Sequence, residues 1–442
     1  MATARPDFLQ QNRRRRGPSL TEPVVRGLDI VAHTDCAGKP DGIQLQYQEA
    51  GGRSYLYYGH LWSGGVTILD VTTPSSPEVV GFVPTPNEHT WHIKVQVADN
   101  IMMLPCEFLF FTTQAQGLDP AQAAKGARFF DVSDPTSPRE LSFWQSEMQG
   151  VHRSWWNGGK YAYLTSGVSA PGVKQHGALD STKVLVTVDI SDPESPREVS
   201  QFWHPAQLEG AGDVPEGDSV YIHEAIVDGD RAYCAYWDGG FAIVDVTDAS
   251  APTLVSQVAT YPELSDGNTH TTFPLRDRGL LVVVDECTAY WGAEGPKDIC
   301  LWDISDETNP QPLGTTPLPV PSDEEPYESY YERGERFGPH NVHNNHVGQL
   351  QCDDKLYATM CNAGLRIYDI RDPRNPTETA SFVPPDPTLI VDPRPYDRIS
   401  QVRFCGSRVG CSQDVAVDPR GYIYVSGTQD GIWILEENGA DG

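Results

Sequence analysis

Positive charge and long apolar runs are both scarce in this sequence. It contains 32 Lys and Arg against 61 Asp and Glu, so its formal net charge is −29 at pH 7. A chain this acidic is repelled by nucleic-acid phosphates and by anionic lipid. No apolar stretch approaches the roughly 20 residues that a membrane-spanning helix needs. The composition therefore argues against DNA, RNA or a membrane as the partner.

Cysteine pairs with redox or metal spacing are missing as well. The nine cysteines are an odd number and include no C-x-x-C pair, which favours a reducing compartment with mostly buried thiols. We therefore expect a cytoplasmic protein, in which Cys405 and Cys411 flank one loop and could pair across it. Motifs typical of phosphate loops, dinucleotide binding, serine hydrolysis and EF-hand calcium sites are also absent.

The single basic run, Arg13 to Arg16, lies near the N-terminus. An export signal would continue with an apolar stretch, and Gly17 to Glu22 is not apolar. We therefore expect residues 1–22 to form a disordered tail. Residues 23–442 are expected to form one domain.

What the sequence does contain is one phrase that returns six times. It begins with Asp, continues with Val or Ile, then Ser, Thr or once Arg, and reaches a Pro within seven residues. The leading Asp residues are 61, 58, 56, 58 and 66 positions apart: Asp70, Asp131, Asp189, Asp245, Asp303 and Asp369. A repeat of this length indicates one supersecondary unit used several times.

The fourth unit shows most clearly what is repeated. Tyr221 to Val227 reads as a strand, Asp228 to Asp230 as a tight turn, and Arg231 to Trp237 as a second strand. A third strand from Phe241 to Val246 runs into the phrase, which is a turn because its Asp and Ser/Thr side chains bond nearby backbone. Another β-branched run follows. The unit is thus four antiparallel strands, A to D, which is a propeller blade with strand A nearest the axis.

Counting the units predicts an all-β, seven-bladed β-propeller. The last unit, Ser412 to Glu437, has strands A to C but lacks strand D. The N-terminal segment Val24 to Ala32 reads like the other D strands and has no A to C. We therefore expect this N-terminal strand to complete the last blade and close the ring, which removes an exposed sheet edge.

Histidines fall at one position of the repeat, the start of strand A. The candidates are His92, His152, His223, His270 and either His340 or His343, whereas blades 1 and 7 offer Gln44 and Gln413-Asp414. Since strand A lines the channel, these side chains should form a ring around the axis. The long connections, B–C and D–A, lie on this same face, where functional sites usually occur.

Neutral imidazole is the commonest metal ligand, so the ring predicts a transition metal such as Fe, Cu, Zn, Mn or Co rather than Ca or Mg. The alternative is a histidine-lined pocket for an anion or substrate. Glu88, Glu224, Glu286 and Asp414 lie next to the strand ends and could orient the rings, and Glu224 and Asp414 are our candidate acid/base residues.

The segment Phe241 to Asp248, with its five relatives, resembles the LVIVD-repeat propeller family over nearly the whole chain. The resemblance implies the propeller fold. A histidine-ringed metal on such an axis is also similar in outline to selenium-binding protein/methanethiol oxidase propellers and to carotenoid-cleaving oxygenases.

Three functions stay open from the sequence. The favoured one is a metal-dependent oxidoreductase or oxygenase acting on a small apolar or aromatic substrate, because aromatic residues such as Trp91, Tyr290 and Trp291 lie in the loops above the ring. The second is a Zn- or Mn-dependent lyase or hydrolase. The third is a non-enzymatic interaction platform.

Overall fold

The computed structural model of the chain describes residues 18–108, 118–169, 172, 183–208, 219–260, 267–288, 295–392 and 408–438. These residues form seven four-stranded antiparallel sheets, one for each predicted blade of a β-propeller. Two strands precede blade 1, namely β1 (Val24–Arg26) and β2 (Leu28–Thr34).

The strands of the first four blades follow in chain order. Blade 1 contains β3 (Gly42–Ala50), β4 (Arg53–His60), β5 (Gly65–Asp70) and β6 (Glu78–Pro84). Blade 2 contains β7 (Gln96–Ala98), β8 (Ile101–Cys106), β9 (Gly126–Asp131) and β10 (Arg139–Gln145). Blade 3 contains β11 (Val151–Trp155), β12 (Tyr161–Gly167), β13 (Lys183–Asp189) and β14 (Arg197–Phe202). Blade 4 contains β15 (Glu224–Asp228), β16 (Arg231–Ala235), β17 (Phe241–Asp245) and β18 (Thr253–Val258).

The remaining strands complete the ring. Blade 5 contains β19 (Thr269–Leu275), β20 (Leu280–Asp285), β21 (Ile299–Asp303) and β22 (Gln311–Thr315). Blade 6 contains β23 (Lys355–Thr359), β24 (Leu365–Asp369) and β25 (Thr377–Val383), and blade 7 contains β26 (Ser412–Val417), β27 (Ile423–Gly427) and β28 (Gly431–Glu437). One short helix, α1 (Tyr330–Arg333), lies between blades 5 and 6.

The N-terminal strands close the ring, as predicted. Strand β2 pairs with β28, from Leu28 opposite Glu437 to Thr34 opposite Ile432, and is therefore the outer strand of blade 7. Strand β1 does something the sequence did not indicate, since it pairs with β25 and adds an outer strand to blade 6. The innermost segment of blade 6 is not a regular strand, and it meets the neighbouring chain through isolated bridges such as that between Val342 and Ala358.

The repeated phrase is the turn between strands C and D. In each copy, one carboxylate oxygen of the leading Asp accepts a hydrogen bond of 2.9 Å from the backbone N–H two residues on. These six identical turns explain why the phrase recurs, because an Asp side chain is what closes the turn. The C–D pairing also carries a register shift in every blade.

The apolar core lies between neighbouring blades. Met103 and Phe129 of blade 2, for example, belong to one cluster with Leu164 and Val186 of blade 3. Val244 of blade 4 is fully buried in the largest cluster, which extends from blade 3 to blade 6. Because each blade is apolar on both faces, the ring is stabilised blade against blade and leaves the axis to polar side chains.

Two predictions concern the N-terminal tail and a possible disulfide, both of which lie partly outside the described residues. The predicted tail stays a prediction, since residues 1–17 lie outside the described residues, although Leu20 is buried and its carbonyl accepts from the N–H of Asp386 at 2.7 Å. Cys405 also lies outside them, so a bond to Cys411 is untested. Within the described ranges, no helix has the length and apolar character needed to cross a membrane.

Candidate functional site

A β-bulge at the start of strand A sets the position of the axial side chains. In blade 3, Val151 pairs with Ser166 and Arg153 with Thr165, so His152 between them is the extra residue. His270 in blade 5 and Gln413 in blade 7 are the extra residues of equivalent bulges. A bulge bends the strand and re-aims one side chain, which is why bulges recur next to functional sites.

The histidines of blades 4 and 6 occupy the same place at the start of strand A. The N–H of His223 donates to the carbonyl of Ala235 at 2.8 Å, and that of His340 donates to the carbonyl of Thr359 at 2.9 Å. His152, His223, His270 and His340, which we call the axial histidines, are each at most 9% exposed.

The axial histidines contact one another in blade order. Their ring centroids are 4.7 Å apart from His152 to His223, 4.1 Å from His223 to His270, and 4.7 Å from His270 to His340. The predicted ring therefore exists over four consecutive blades.

Each axial histidine uses its Nδ1 atom to donate to an acceptor. His152 Nδ1 lies 2.8 Å from both carboxylate oxygens of Glu107, and His223 Nδ1 lies 3.2 Å from the carbonyl oxygen of His270. His340 Nδ1 lies 2.6 Å from the carbonyl oxygen of Gln413. Since these acceptors carry no hydrogen to give, the proton must be on Nδ1.

The fourth ring follows the same rule through a relay. His270 Nδ1 lies 2.7 Å from the hydroxyl oxygen of Thr271, and that hydroxyl donates its hydrogen to Glu224 at 2.5 Å. The hydroxyl can then only accept from His270, which again places the proton on Nδ1. Glu224 thus fixes the tautomer of His270 through Thr271.

The axial rings are neutral, which leaves every Nε2 atom with a lone pair. Burial lowers the pKa of all four well below the ordinary histidine value, and the nearby cations Lys94 and Arg153 lower it further. His152 Nε2 and His223 Nε2 are 3.0 Å apart, which is a hydrogen-bond distance. Two nitrogens this close need either a proton on one of them or a cation shared between them.

A carboxylate completes a possible metal-ligand group beside these lone pairs. Atoms of His223, His270 and Glu286 all lie within 4.8 Å of one another. Glu286 lies 3.8 Å from His270 Nε2 and 3.7 Å from His340 Nε2, and it accepts from Arg336 at 2.5 Å. Imidazole nitrogens with one carboxylate are a common donor set for transition metals.

The residue after each axial histidine forms a second polar layer. Arg153 donates to Glu224 at 2.8 Å, to Asn341 at 2.5 Å and to His270 Nε2 at 3.0 Å. In this arrangement Arg153 therefore donates to the lone pair of His270 Nε2. That hydrogen bond would have to break before His270 Nε2 could bind a metal ion.

Two further buried charges face this layer. Burial raises the pKa of Asp414 to about 7, although one of its oxygens accepts from the N–H of Leu45 at 2.8 Å. Burial, followed by the charge of Arg153, lowers the pKa of Lys94 to about 7.

Two predicted ligands bond elsewhere. His92 directs Nδ1 to the carbonyl oxygen of Pro105 at 2.8 Å and Nε2 to Arg128 at 3.1 Å. His343 donates from Nε2 to the carbonyl oxygen of Leu350 at 2.7 Å. The structure thus places His340, not His343, beside the other axial histidines, and it places His92 outside the cluster.

Of the other predicted site residues, Glu286 lies in the axial cluster and Glu88 does not. Glu286, expected only to orient a ring, lies among the possible ligands. The side chain of Glu88 is 82% exposed and lies beside His89, away from the axial cluster. The aromatic cap expected from Tyr290 and Trp291 falls outside the described residues.

Sequence reasoning missed Lys94, Arg153 and Glu107. A sequence pattern could have identified Arg153. In blades 3 to 7 the residue that follows the strand-A histidine or glutamine is polar, although strand A is buried. The repeat could also have identified Glu107, because Glu107 and Glu286 both follow directly on strand B of their blades. In the structure, each approaches a histidine of the next blade.

The fold and the axial cluster together define a seven-bladed β-propeller with a polar, histidine-rich axis. A family model described as the LVIVD repeat matches residues 54–85, 180–203 and 223–260, so the chain carries LVIVD repeats. No curated protein matches the chain.

Solved structures resemble the chain in fold alone. A protein from Lactobacillus plantarum superposes with a TM-score of 0.54 at 13% identity, covering 84% of this chain and 88% of that one. The β-propeller domain of Cps50 (Swd1) from Myceliophteria thermophila gives 0.53 at 10% identity, covering 95% and 100%. A chain in a crystal structure of the mitotic checkpoint complex gives 0.52 at 10% identity, covering 96% and 93%.

Proposed function

We propose that this chain is a metalloenzyme, with a transition-metal centre at His223, His270 and Glu286 that acts on a small organic substrate. The observation that carries the proposal is the common tautomer of the axial histidines. All four commit Nδ1–H to an acceptor and so keep an Nε2 lone pair. Metal-binding histidines are oriented in this way by acceptors behind them.

The distance between His152 and His223 also supports the proposal. Two uncharged nitrogens at 3.0 Å with no proton between them repel, whereas two nitrogens each about 2.1 Å from one metal ion are separated by about that distance. His152 is therefore a further candidate ligand, and His340, close to Glu286, is another.

The donor set favours the redox class of reaction. Two histidines and one carboxylate form the set used by non-haem Fe(II) oxygenases, and we favour an oxidoreductase for that reason. The same set also binds Zn²⁺ in hydrolases, so a Zn- or Mn-dependent lyase or hydrolase is the second candidate. When bound, a redox metal supplies electron transfer or oxygen chemistry, and zinc supplies Lewis acidity.

The two acid/base candidates take different roles. Both oxygens of Glu224 are engaged, one by Arg153 and one by Thr271, so we assign Glu224 a positioning role behind His270. Asp414 is the better candidate for moving a proton, because its pKa of about 7 lets both protonation states exist near neutral pH.

Metal analysis of the chain, purified without chelator, tests the proposal. We expect about one equivalent of a transition metal, with Fe or Cu favouring the oxidoreductase and Zn the alternative. His223→Ala should lose the metal, whereas the control His343→Ala should keep it. Less than about a tenth of an equivalent of every transition metal would contradict the proposal and favour an interaction platform.

A further inference from the structure

The axis buries four cations among the carboxylates Glu107, Glu224, Glu286 and Asp414, in a protein that is strongly negative overall. Lys94, Arg153, Lys183 and Arg336 are each at most 4% exposed, although the chain carries a formal charge of −29. Lys94 and Arg153 depress the pKa of all four axial histidines, so their charges are felt throughout the cluster.

Three of these four cations have a partner in the fold. Arg153 pairs with Glu224 at 2.8 Å, and Arg336 pairs with Glu286 at 2.5 Å. The ammonium of Lys183 lies 5.3 Å from the centre of the Tyr221 ring. These contacts offset part of the cost of burying each charge.

Lys94 differs from the others. It is 2% exposed, yet its ammonium makes no hydrogen bond or salt bridge with any residue that the structure describes. It interacts at longer range with Asp414, Glu224 and Glu107. A second donor, the Nε–H of Arg153, is itself fully buried and has no hydrogen-bond partner among the described residues.

A buried donor without an acceptor, such as the Nε–H of Arg153, is rare because it forfeits its hydrogen bonds to water. A ligand with acceptor oxygens would supply the missing partner. One negative charge suffices, since the guanidinium groups of Arg153 and Arg336 are already paired with carboxylates.

We infer that the axial site binds a small organic monoanion, a carboxylate, whose oxygens accept from Lys94 while the rest of the molecule lies against the axial histidines. This inference names a substrate class for the proposed function and rests on that function where it concerns a reaction. The binding of the anion does not depend on it. Inorganic phosphate, which carries more charge at neutral pH, should bind less well.

Calorimetric titration of the full chain with acetate tests the inference, with acetamide as the uncharged molecule of the same shape. It is carried out on chelator-treated protein and on protein reloaded with Zn²⁺. We expect acetate to bind at least about tenfold more tightly than acetamide and than inorganic phosphate in both forms. Equal binding of acetate and acetamide, tighter binding of phosphate, or no binding of acetate would overturn the inference, and none of these comparisons requires a variant.

A variant then locates the subsite. Lys94→Met keeps the side-chain length without the charge and should weaken acetate binding at least about tenfold. The matched control is Lys160→Met, whose lysine side chain is 53% exposed, and it should leave acetate binding unchanged. Acetate affinity retained by folded Lys94→Met would overturn the role of Lys94.

The zinc content of each sample separates this inference from the proposed function. If Zn²⁺ fails to bind but acetate binding depends on Lys94, the proposed metal centre is wrong and the anion subsite stands. If Zn²⁺ binds and acetate does not, the anion subsite is wrong and the metal centre stands.

Discussion

The spaces between the blades and the space along the axis are built from the same strands but in opposite ways. Between blades the packing is apolar and equivalent from unit to unit, as with Leu164 and Val186 against Phe129. Along the axis, the residue that follows the strand-A bulge position is Arg153, Glu224, Thr271, Asn341 or Asp414, so the repeat is not preserved. Stability therefore resides in the repeated part, and the candidate functional groups lie in the part that departs from it.

The sharpest way to break the inter-blade packing is Val244→Asp. Val244 is fully buried in the largest apolar cluster, so the new carboxylate would have neither water nor a cation beside it. We expect a loss of roughly 4 kcal/mol or more in the free energy of unfolding, enough to abolish the fold at 37 °C. Circular dichroism and thermal melting measure it, and a variant that melts like the wild type would contradict the inter-blade core.

Acid should destabilise the axis and the other buried histidines. Nine buried histidines have a folded pKa below the ordinary 6.5, so as the pH falls below 6.5 the unfolded chain takes up protons that the folded chain does not: His60, His92, His152, His204, His223, His270, His340, His343 and His346. Each costs about 1.4 kcal/mol of stability per pH unit until its folded pKa is reached.

Two buried carboxyls act in the opposite direction. The pKa of Asp414 and Asp430 is raised to about 7, so the folded chain holds protons there that the unfolded chain releases until the pH falls to about 3.8. The histidines outnumber them, and we expect a net loss of about 5 kcal/mol or more between pH 7 and pH 5. Urea unfolding at several pH values measures it, and stability that rises on acidification would contradict the neutral axial rings.

His223→Ala should damage the axis and leave the blades intact. His223 is buried, but two of the rings that it packs against are the polar imidazoles of His152 and His270. We therefore expect metal affinity to fall about a hundredfold or more, while the melting temperature of the metal-free chain falls far less than in Val244→Asp. Metal content and chelator-dependent melting measure it. If His223→Ala unfolds as badly as Val244→Asp while the wild type is indifferent to chelator, the axial histidines are a structural feature and the metalloenzyme proposal is wrong.

Glu224→Gln tests the relay behind His270 and should have the smallest effect. Glutamine keeps the shape but weakens the acceptors for both Thr271 and Arg153, so metal affinity should fall about tenfold. Glu88→Gln, on an exposed side chain, is the matched control and should change nothing. Equal metal affinity in both variants would show that the relay does not support the site.

The sequence predicted the fold through residues that turns require. The leading Asp of each phrase makes the same local bond wherever it occurs, so its spacing counted six blades, and the incomplete last unit pointed to the N-terminal strand. The pairing of β1 with blade 6 was not predictable, because three residues, Val24–Arg26, carry no periodicity.

The site was predictable only in part. The start of strand A is a repeat position, which identified His152, His223 and His270. His340 and His343 could not be separated, because the choice depends on a contact with Glu286 that lies 54 positions from His340 in the chain. Lys94 was missed since a lysine in a predicted strand usually faces water, and only the closed ring shows that it is buried.

The most direct test of the central claim is a crystal structure of the chain grown with Zn²⁺ and measured at the zinc absorption edge. If the axial site binds the metal, we expect an anomalous peak about 2.1 Å from Nε2 of His223 and of His270, with Glu286 as a third ligand. Arg153 should then no longer contact His270 Nε2. An axis without a peak, in protein that carries one equivalent of zinc elsewhere, would contradict it.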